Sequence, residues 1–189
     1  MQEMPMAREK KIDMVVLGLL SHEPLTGYDI KKEIDGAISF FWKGSFGNIY
    51  PTLKELEAQG LVARSAGKTE ESGREKIAYS ITDSGREALK EWLNDEKVSN
   101  ELRYETLLKL FFGGNAGRDI TLKNIEAFER KIAADLKLLK FYKGNLEKVL
   151  DDEDHVYFYL TVSFGVETYE AYLKWCAKAK KLLKERIKR

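Results

Sequence analysis

The sequence predicts a mainly α-helical protein with one small β-hairpin, divided into two domains. Three observations predict it. Apolar residues recur at helical spacing through most of the chain. One short stretch, residues 61–82, alternates at period two around a polar tip. The second half carries only helix-period patterns, with no strand signal.

Taken in order, Ile12, Val15, Val16, Leu19 and Leu20 line one face of a helix over about 9–21. His22-Glu23-Pro24 ends it, because the residue before a proline avoids the α region. Thr26 with Asp29 three residues later predicts a capping box. A second helix follows, carrying Tyr28, Ile30 and Ile34 and fading at Gly36. After the aromatic group Phe40, Phe41 and Trp42 comes a third helix. Pro51 is tolerated only in a first turn, which sets the start near Gly47 or Asn48, with Ser45 or Asn48 as cap. Ile49, Leu53 and Leu56 are its expected inner face. Asn48, Thr52, Glu55 and Gln59 are its expected outer face, flanked by Tyr50 and Lys54. Gly60 is placed to stop the helix at positive φ. Strands are expected at 61–65 and 76–81, separated by the tip GKTEESGR. Thr82 then caps a fourth helix running to about residue 94, with Ala88, Leu89, Trp92 and Leu93 apolar.

The remainder reads as a helix near 101–112 ending at Gly113-Gly114, a long helix over about 119–150, an acidic break at 151–154 and a last helix over about 154–187. Positions 122, 125, 129, 132, 136, 139, 143, 146 and 150 form a coiled-coil-like stripe, interrupted by Glu129 and Lys143. The expected domains are 1–97 and 98–189.

Composition narrows the function. The chain has 189 residues, 43% of them hydrophobic, and a net charge of +1. No apolar run approaches the length of a membrane span, and no signal peptide is expected at the polar N-terminus. One cysteine, Cys176, excludes an internal disulfide and suits a reducing, cytoplasmic setting. An enzyme is not expected. The two histidines, His22 and His155, and the cysteine lie in unrelated segments, and no phosphate-cradling glycine loop follows a strand. The run Asp-Asp-Glu-Asp-His at 151–155 reads as a solvated turn, since contiguous acidic residues do not converge on one ion. Neither a cofactor nor a metal is called for.

A short helix leading directly into a hairpin is the arrangement a winged helix-turn-helix presents to DNA. Residues 45–82 carry it. Short polar side chains near the start of a recognition helix reach base edges, which suits Ser45, Asn48 and Thr52. Tyr50 and Lys54 suit phosphates, and the wing offers Lys68, Arg74 and Lys76. The alternative is that these residues form an ordinary solvent face. Charge favours that alternative. Residues 1–97 hold 14 Lys and Arg against 17 Asp and Glu, a net of −3, whereas 98–189 hold 18 against 14, a net of +4. Residues 45–82 are neutral, with five charges of each sign. Binding to a protein partner is therefore the competing function. The basic end of the last helix reads as a solvated terminus complementing the helix dipole rather than a second nucleic-acid site.

The segments LGLLSHEPLTGYDIKKEI, FWKGSFGNIYPTLKELEAQGLVARS and GREKIAYSITDSGREAL, in this order and at short spacing, resemble the PadR family of transcriptional regulators over roughly residues 12–95. The helical remainder, with Leu107–Phe112 and SFGVETYEAYLKW, resembles more loosely the C-terminal domain of its longer, virulence-activator-type members. The resemblance implies a winged helix-turn-helix domain followed by an α-helical dimerisation domain. It implies a homodimer on a palindromic double-stranded DNA operator, acting as a repressor and responding to a small molecule. Gly73-Arg74 matches the family's G-R step and makes Arg74 the leading wing residue. The aromatic last helix suits core or dimer contacts. A small aromatic or apolar effector would find walls in Trp42, Trp92, Phe164 and Trp175.

Overall fold

The computed structural model describes residues 10–42, 49–69, 75–96 and 104–187. The chain divides into two compact units, Met1–Ser99 and Asn100–Arg189.

The first unit is built from α1 (Lys10–Leu20), β1 (Leu25–Thr26), α2 (Gly27–Asp35), α3 (Ile49–Ala58), β2 (Val62–Thr69), β3 (Glu75–Ile81) and α4 (Asp83–Asn94). The apolar face of α1 supplies its centre. Val16 and Leu17 are fully buried with Ile30 and Ile34 of α2 and Leu53 of α3, and Leu20 and Leu56 are nearly so. Each such side chain contributes roughly 1.5–3 kcal/mol on burial. This core fixes α2 and α3 against α1.

Local chemistry sets the ends of these elements. Thr26 and Asp29 form the expected capping box: the Asp29 amide donates to the Thr26 hydroxyl at 3.2 Å, and the Thr26 amide donates to the Asp29 carboxylate at 3.2 Å. Gly60 takes φ 72° just past α3. Thr82 caps α4, accepting from the Gly85 amide at 3.1 Å, and its hydroxyl donates back to the Gly60 carbonyl at 2.7 Å. One side chain therefore ties the end of α3 to the exit of the wing.

The sheet has three antiparallel strands in the order β1-β3-β2. In the hairpin Val62 faces Ile81 and Arg64 faces Tyr79, with a shift in register between Ala66 and Thr69. Both strands run further than the sequence predicts: β2 continues to Thr69, into the segment read as tip. The third strand, β1, is not predicted at all. It pairs Leu25 with Tyr79 and Thr26 with Ala78.

The second unit contains α5 (Glu105–Phe111), α6 (Arg118–Leu146) and α7 (Glu153–Arg186). Helices α6 and α7 form an antiparallel hairpin. Ile125, Ile132, Leu136 and Leu139 of the expected stripe are buried, together with Val166 and Cys176 of α7. The two interruptions of the stripe are both paired. Glu129 meets Lys180 across the hairpin, and Lys143 meets Glu147 at 2.6 Å while its ammonium lies 4.9 Å from the Tyr159 ring centroid. Gly165 gives room to Leu139: a Cβ there would stand 3.2 Å from a Leu139 methyl group. Helix α6 stops at Leu146, four residues short of the predicted end, and α7 starts inside the acidic break, capped by Asp152. The Tyr104 hydroxyl is hydrogen-bonded to that of Tyr172, which anchors the start of α5 on α7. The predicted helix near 101–112 is shorter, and residues 101–103 lie outside the described part.

Candidate nucleic-acid interface

Helices α2 and α3, followed by the β2–β3 wing, form a winged helix-turn-helix. Its outward face is set by how α3 rotates against the core. Ile49, Thr52, Leu53 and Leu56 point inward, whereas Tyr50, Lys54, Glu55 and Gln59 are exposed. The expectation that Thr52 belongs to the outer face is therefore corrected: Thr52 is only 5% exposed. The reason is helical geometry. Thr52 stands three residues after Ile49 and four before Leu56, inside the apolar stripe that packs on α1 and α2. Its polar identity suggested a surface, but its position is core.

The same rotation moves Tyr50 and Lys54 from the flanks to the middle of the outer face. They are four residues apart, on adjacent turns of one side. Tyr50 is 61% exposed, and its ring lies over Gly27, where a Cβ would meet Tyr50 Cε1 at 2.6 Å. Gly27 opens α2, so this contact joins the N-terminal turns of the two helices. Tyr28, beside it, is also exposed. Lys31 and Lys32 continue the exposed side of α2, with Lys31 paired to Asp35. Sequence reasoning did not single out Tyr28, Lys31 or Lys32. The signal available was the pair of adjacent lysines on the side of α2 opposite Ile30 and Ile34.

Charge at this surface is held in pairs. Arg64 of β2 makes a two-point contact with Glu57 of α3, at 2.9 and 3.1 Å. Hydrogen bonding to that carboxylate pushes the guanidinium pKa still higher. Arg64 thus braces the wing against α3. Ser45, Asn48 and Arg74 lie outside the described residues. The backbones of Lys68 and Lys76 lie in β2 and β3, and their side chains lie outside the described part.

The residues expected around an effector fall in different units. Trp42 and Trp92 belong to the first. Trp42 is half-buried, with the Lys11 ammonium 4.9 Å from its ring centroid, and Trp92 is exposed near the end of α4. Phe164 and Trp175 belong to the second. They stand eleven residues apart on α7, about 16 Å along the axis. Trp175 sits edge-on to Phe128, with ring centroids 6.4 Å apart. Tyr104, Phe128, Tyr169, Tyr172 and Trp175 form one aromatic cluster. Only Trp175 was singled out as a candidate site residue, because the hairpin register that gathers the rest is not visible in the linear order. No group of His, Cys, Asp and Glu suited to a metal occurs among the described residues. No helix among them is long and apolar enough to cross a membrane.

Comparison with known proteins agrees with this architecture unit by unit. Residues 16–91 match the Transcriptional regulator PadR-like family, and residues 102–184 match the Virulence activator alpha C-term family. The negative transcriptional regulator PadR of Bacillus subtilis is 26% identical over 168 residues, covering 85% of this chain and 90% of that one. Its crystal structure in complex with operator DNA has a TM-score of 0.78 at 26% identity, over 92% of this chain and 99% of that chain. Its structure in complex with p-coumaric acid has a TM-score of 0.71 at 26% identity, over 92% and 98%. The PadR-like regulator BC1756 of Bacillus cereus has a TM-score of 0.77 at 28% identity, over 96% and 99%. The chain belongs to the PadR-like family of transcriptional regulators, in the longer form whose winged helix is followed by a virulence-activator-type helical domain.

Proposed function

We propose that this chain is a homodimeric repressor that binds a palindromic operator through its winged helices and releases it when a small aromatic or apolar ligand binds. The observation that carries the reading is the outer face of α3. Tyr50 and Lys54 stand together there, beside exposed Tyr28 at the start of α2. A phenol and an ammonium at the mouth of a helix-turn-helix suit phosphate oxygens, and the preceding turn, with Ser45 and Asn48, suits base edges. The likeness to B. subtilis PadR, which has been solved both with operator DNA and with p-coumaric acid, supports the same reading. On this reading Lys68, Arg74 and Lys76 contact phosphates from the wing. The second unit, residues 98–189, holds the dimer. The chain works in the cytoplasm and has no catalytic centre, cofactor or metal.

The neutral charge of residues 45–82 favours one other reading, in which the winged helix binds a protein. A gel shift against the chain's own upstream DNA separates the two. Operator binding predicts retardation at low salt. It also predicts that Lys54→Ala lowers the slope of log affinity against log salt by about two, one phosphate per protomer. No retardation at low salt, or a slope indifferent to Lys54 and Arg74 together, favours the protein partner. Adding p-coumaric acid and related phenolic acids to the shifted complex tests the ligand response.

A further inference from the structure

Helix α7 carries two apolar seams on opposite sides. One, with Val166 and Cys176, is buried against α6. The other faces away from α6 and is open. Tyr157, Leu160, Phe164 and Leu182 on it are exposed, from 58% for Leu182 to 70% for Phe164. Exposed apolar side chains at 3 and 4 spacing along a 34-residue helix are an unfilled coiled-coil seam.

Two further features say what fills it. First, the seam is symmetric about a point between Tyr169 and Glu170. An antiparallel copy of the same helix sets Tyr157 opposite Leu182, Phe164 opposite Trp175 and Thr168 opposite Ala171. The largest side chains then meet away from the crossing point, and the small pair Thr168 and Ala171 meets at it, where two helices approach most closely. Second, the charge of α7 changes sign at the same point. Residues 153–169 hold Glu153, Asp154 and Glu167 and no Lys or Arg. Residues 170–186 hold Lys174, Lys178, Lys181, Lys184 and Arg186 beyond the Lys180 already paired with Glu129. A parallel copy would put like charges side by side along the whole helix, whereas an antiparallel copy puts acidic against basic at both ends.

We infer that the open seam of α7 is the dimer interface, closed by α7 of a second copy running antiparallel and crossing between Thr168 and Ala171. The inference rests on the homodimer proposed above and adds the element, direction and register of the contact.

Short-reach bismaleimide cross-linking of single-cysteine variants tests it, with the native chain as the blank because its one thiol, Cys176, is buried. Antiparallel pairing leaves the two copies of residue 171 about 4.5 Å apart along the axis and the two copies of residue 161 about 25 Å apart. Ala171→Cys should link to itself. Thr161→Cys should not, yet it should link to Lys178→Cys when the two chains are co-expressed. Phe164→Asp should raise the dimer dissociation constant at least about a hundredfold, because it buries a charge in the seam twice per dimer. It should leave the circular dichroism of the protomer unchanged, since Phe164 is exposed there.

A dimer by sedimentation in which Ala171→Cys stays unlinked, or in which Phe164→Asp dimerises as the native chain does, overturns the seam and leaves the homodimer standing. Self-linking of Thr161→Cys overturns the direction. A native chain that sediments as a monomer at every concentration overturns both this inference and the homodimer.

Discussion

Tyr50 rests its ring on the bare Cα of Gly27: a Cβ there would come within 2.6 Å of Tyr50 Cε1. The glycine is not required by its backbone, since only Gly60 and Gly117 take positive φ among the described residues. It is required by the tyrosine. The obstructed atom belongs to a mobile side chain, so the ring can swing aside at little cost. Gly27→Ala should therefore change stability by less than about 1 kcal/mol, with better helix propensity offsetting the displacement. If Tyr50 contacts operator DNA, Gly27→Ala should weaken binding about as much as Tyr50→Ala. The double variant should lose no more than either single one, because both remove the same placement. Gel shifts on the three variants, with urea denaturation as the stability control, measure this. Additive losses would mean that Gly27 acts other than through Tyr50.

Gly85 makes the opposite case. A Cβ on it would lie 2.1 Å from the Leu61 carbonyl oxygen, a backbone atom that cannot swing aside. The same carbonyl accepts from the Thr82 amide at 3.1 Å, and Thr82 in turn caps α4 through the Gly85 amide. Gly85→Ala should separate α4 from the entry to the wing and cost about 1–3 kcal/mol. Thr82→Ala should cost about 1 kcal/mol as a lost helix cap, and more if the bond to Gly60 counts separately. Urea denaturation followed by circular dichroism ranks the two. A Gly85→Ala chain as stable as the native one would show that α4 is held from elsewhere.

Thr52 offers a test of core against surface. Its burial predicts that Thr52→Val, which keeps the shape, leaves operator affinity within about twofold, since a change below roughly 0.4 kcal/mol is twofold or less. Thr52→Ala should destabilise the unit by about 1 kcal/mol, through a small cavity beside Leu53 and Leu56. Gel shift and urea denaturation on both variants separate the two effects. A large loss of affinity with stability unchanged would return Thr52 to the DNA contact.

What the sequence revealed followed the range of the interaction. The Thr26–Asp29 box, the Thr82 cap and the positive φ of Gly60 are written within a few residues, and each was legible. Strand β1 was not, because two residues have no periodicity, and Leu25 and Thr26 are strand only through Tyr79 and Ala78, more than fifty residues away. Glu129 looked like a flaw in the α6 stripe for the same reason: its partner Lys180 lies on the next helix. Thr52 was misread because residue type was weighed above helical position. The early end of α6 was missed because its apolar spacing continues through Leu150, past the turn that reverses the chain. Of the candidate interface, Tyr50 and Lys54 were legible as polar neighbours of a buried stripe. Their central place depended on how the core rotates α3.

The Tyr104–Tyr172 contact should be visible in alkali. Burial raises the Tyr104 pKa first, and its hydrogen bond to Tyr172 raises it further. Tyr169 is raised as well, by burial and then by the Asp135 carboxylate. An unfolded tyrosine ionises near pH 10. A phenol whose folded pKa lies higher therefore adds stability that is whole below about pH 10. That stability is lost as the pH rises from there through the folded value, because the unfolded chain binds fewer protons. Spectrophotometric titration at alkaline pH should show a class of tyrosines ionising late, and Tyr104→Phe should remove one member while Tyr169 still lags. Between pH 9 and 11.5 the native chain should lose stability faster than Tyr104→Phe, since the variant has no phenol at 104 to ionise on unfolding. Lys180, raised by Glu129, steepens the alkaline decline of both chains equally, so the difference between them isolates Tyr104. Parallel decline of the two chains would show that Tyr104 ionises as freely in the folded protein as in the unfolded one.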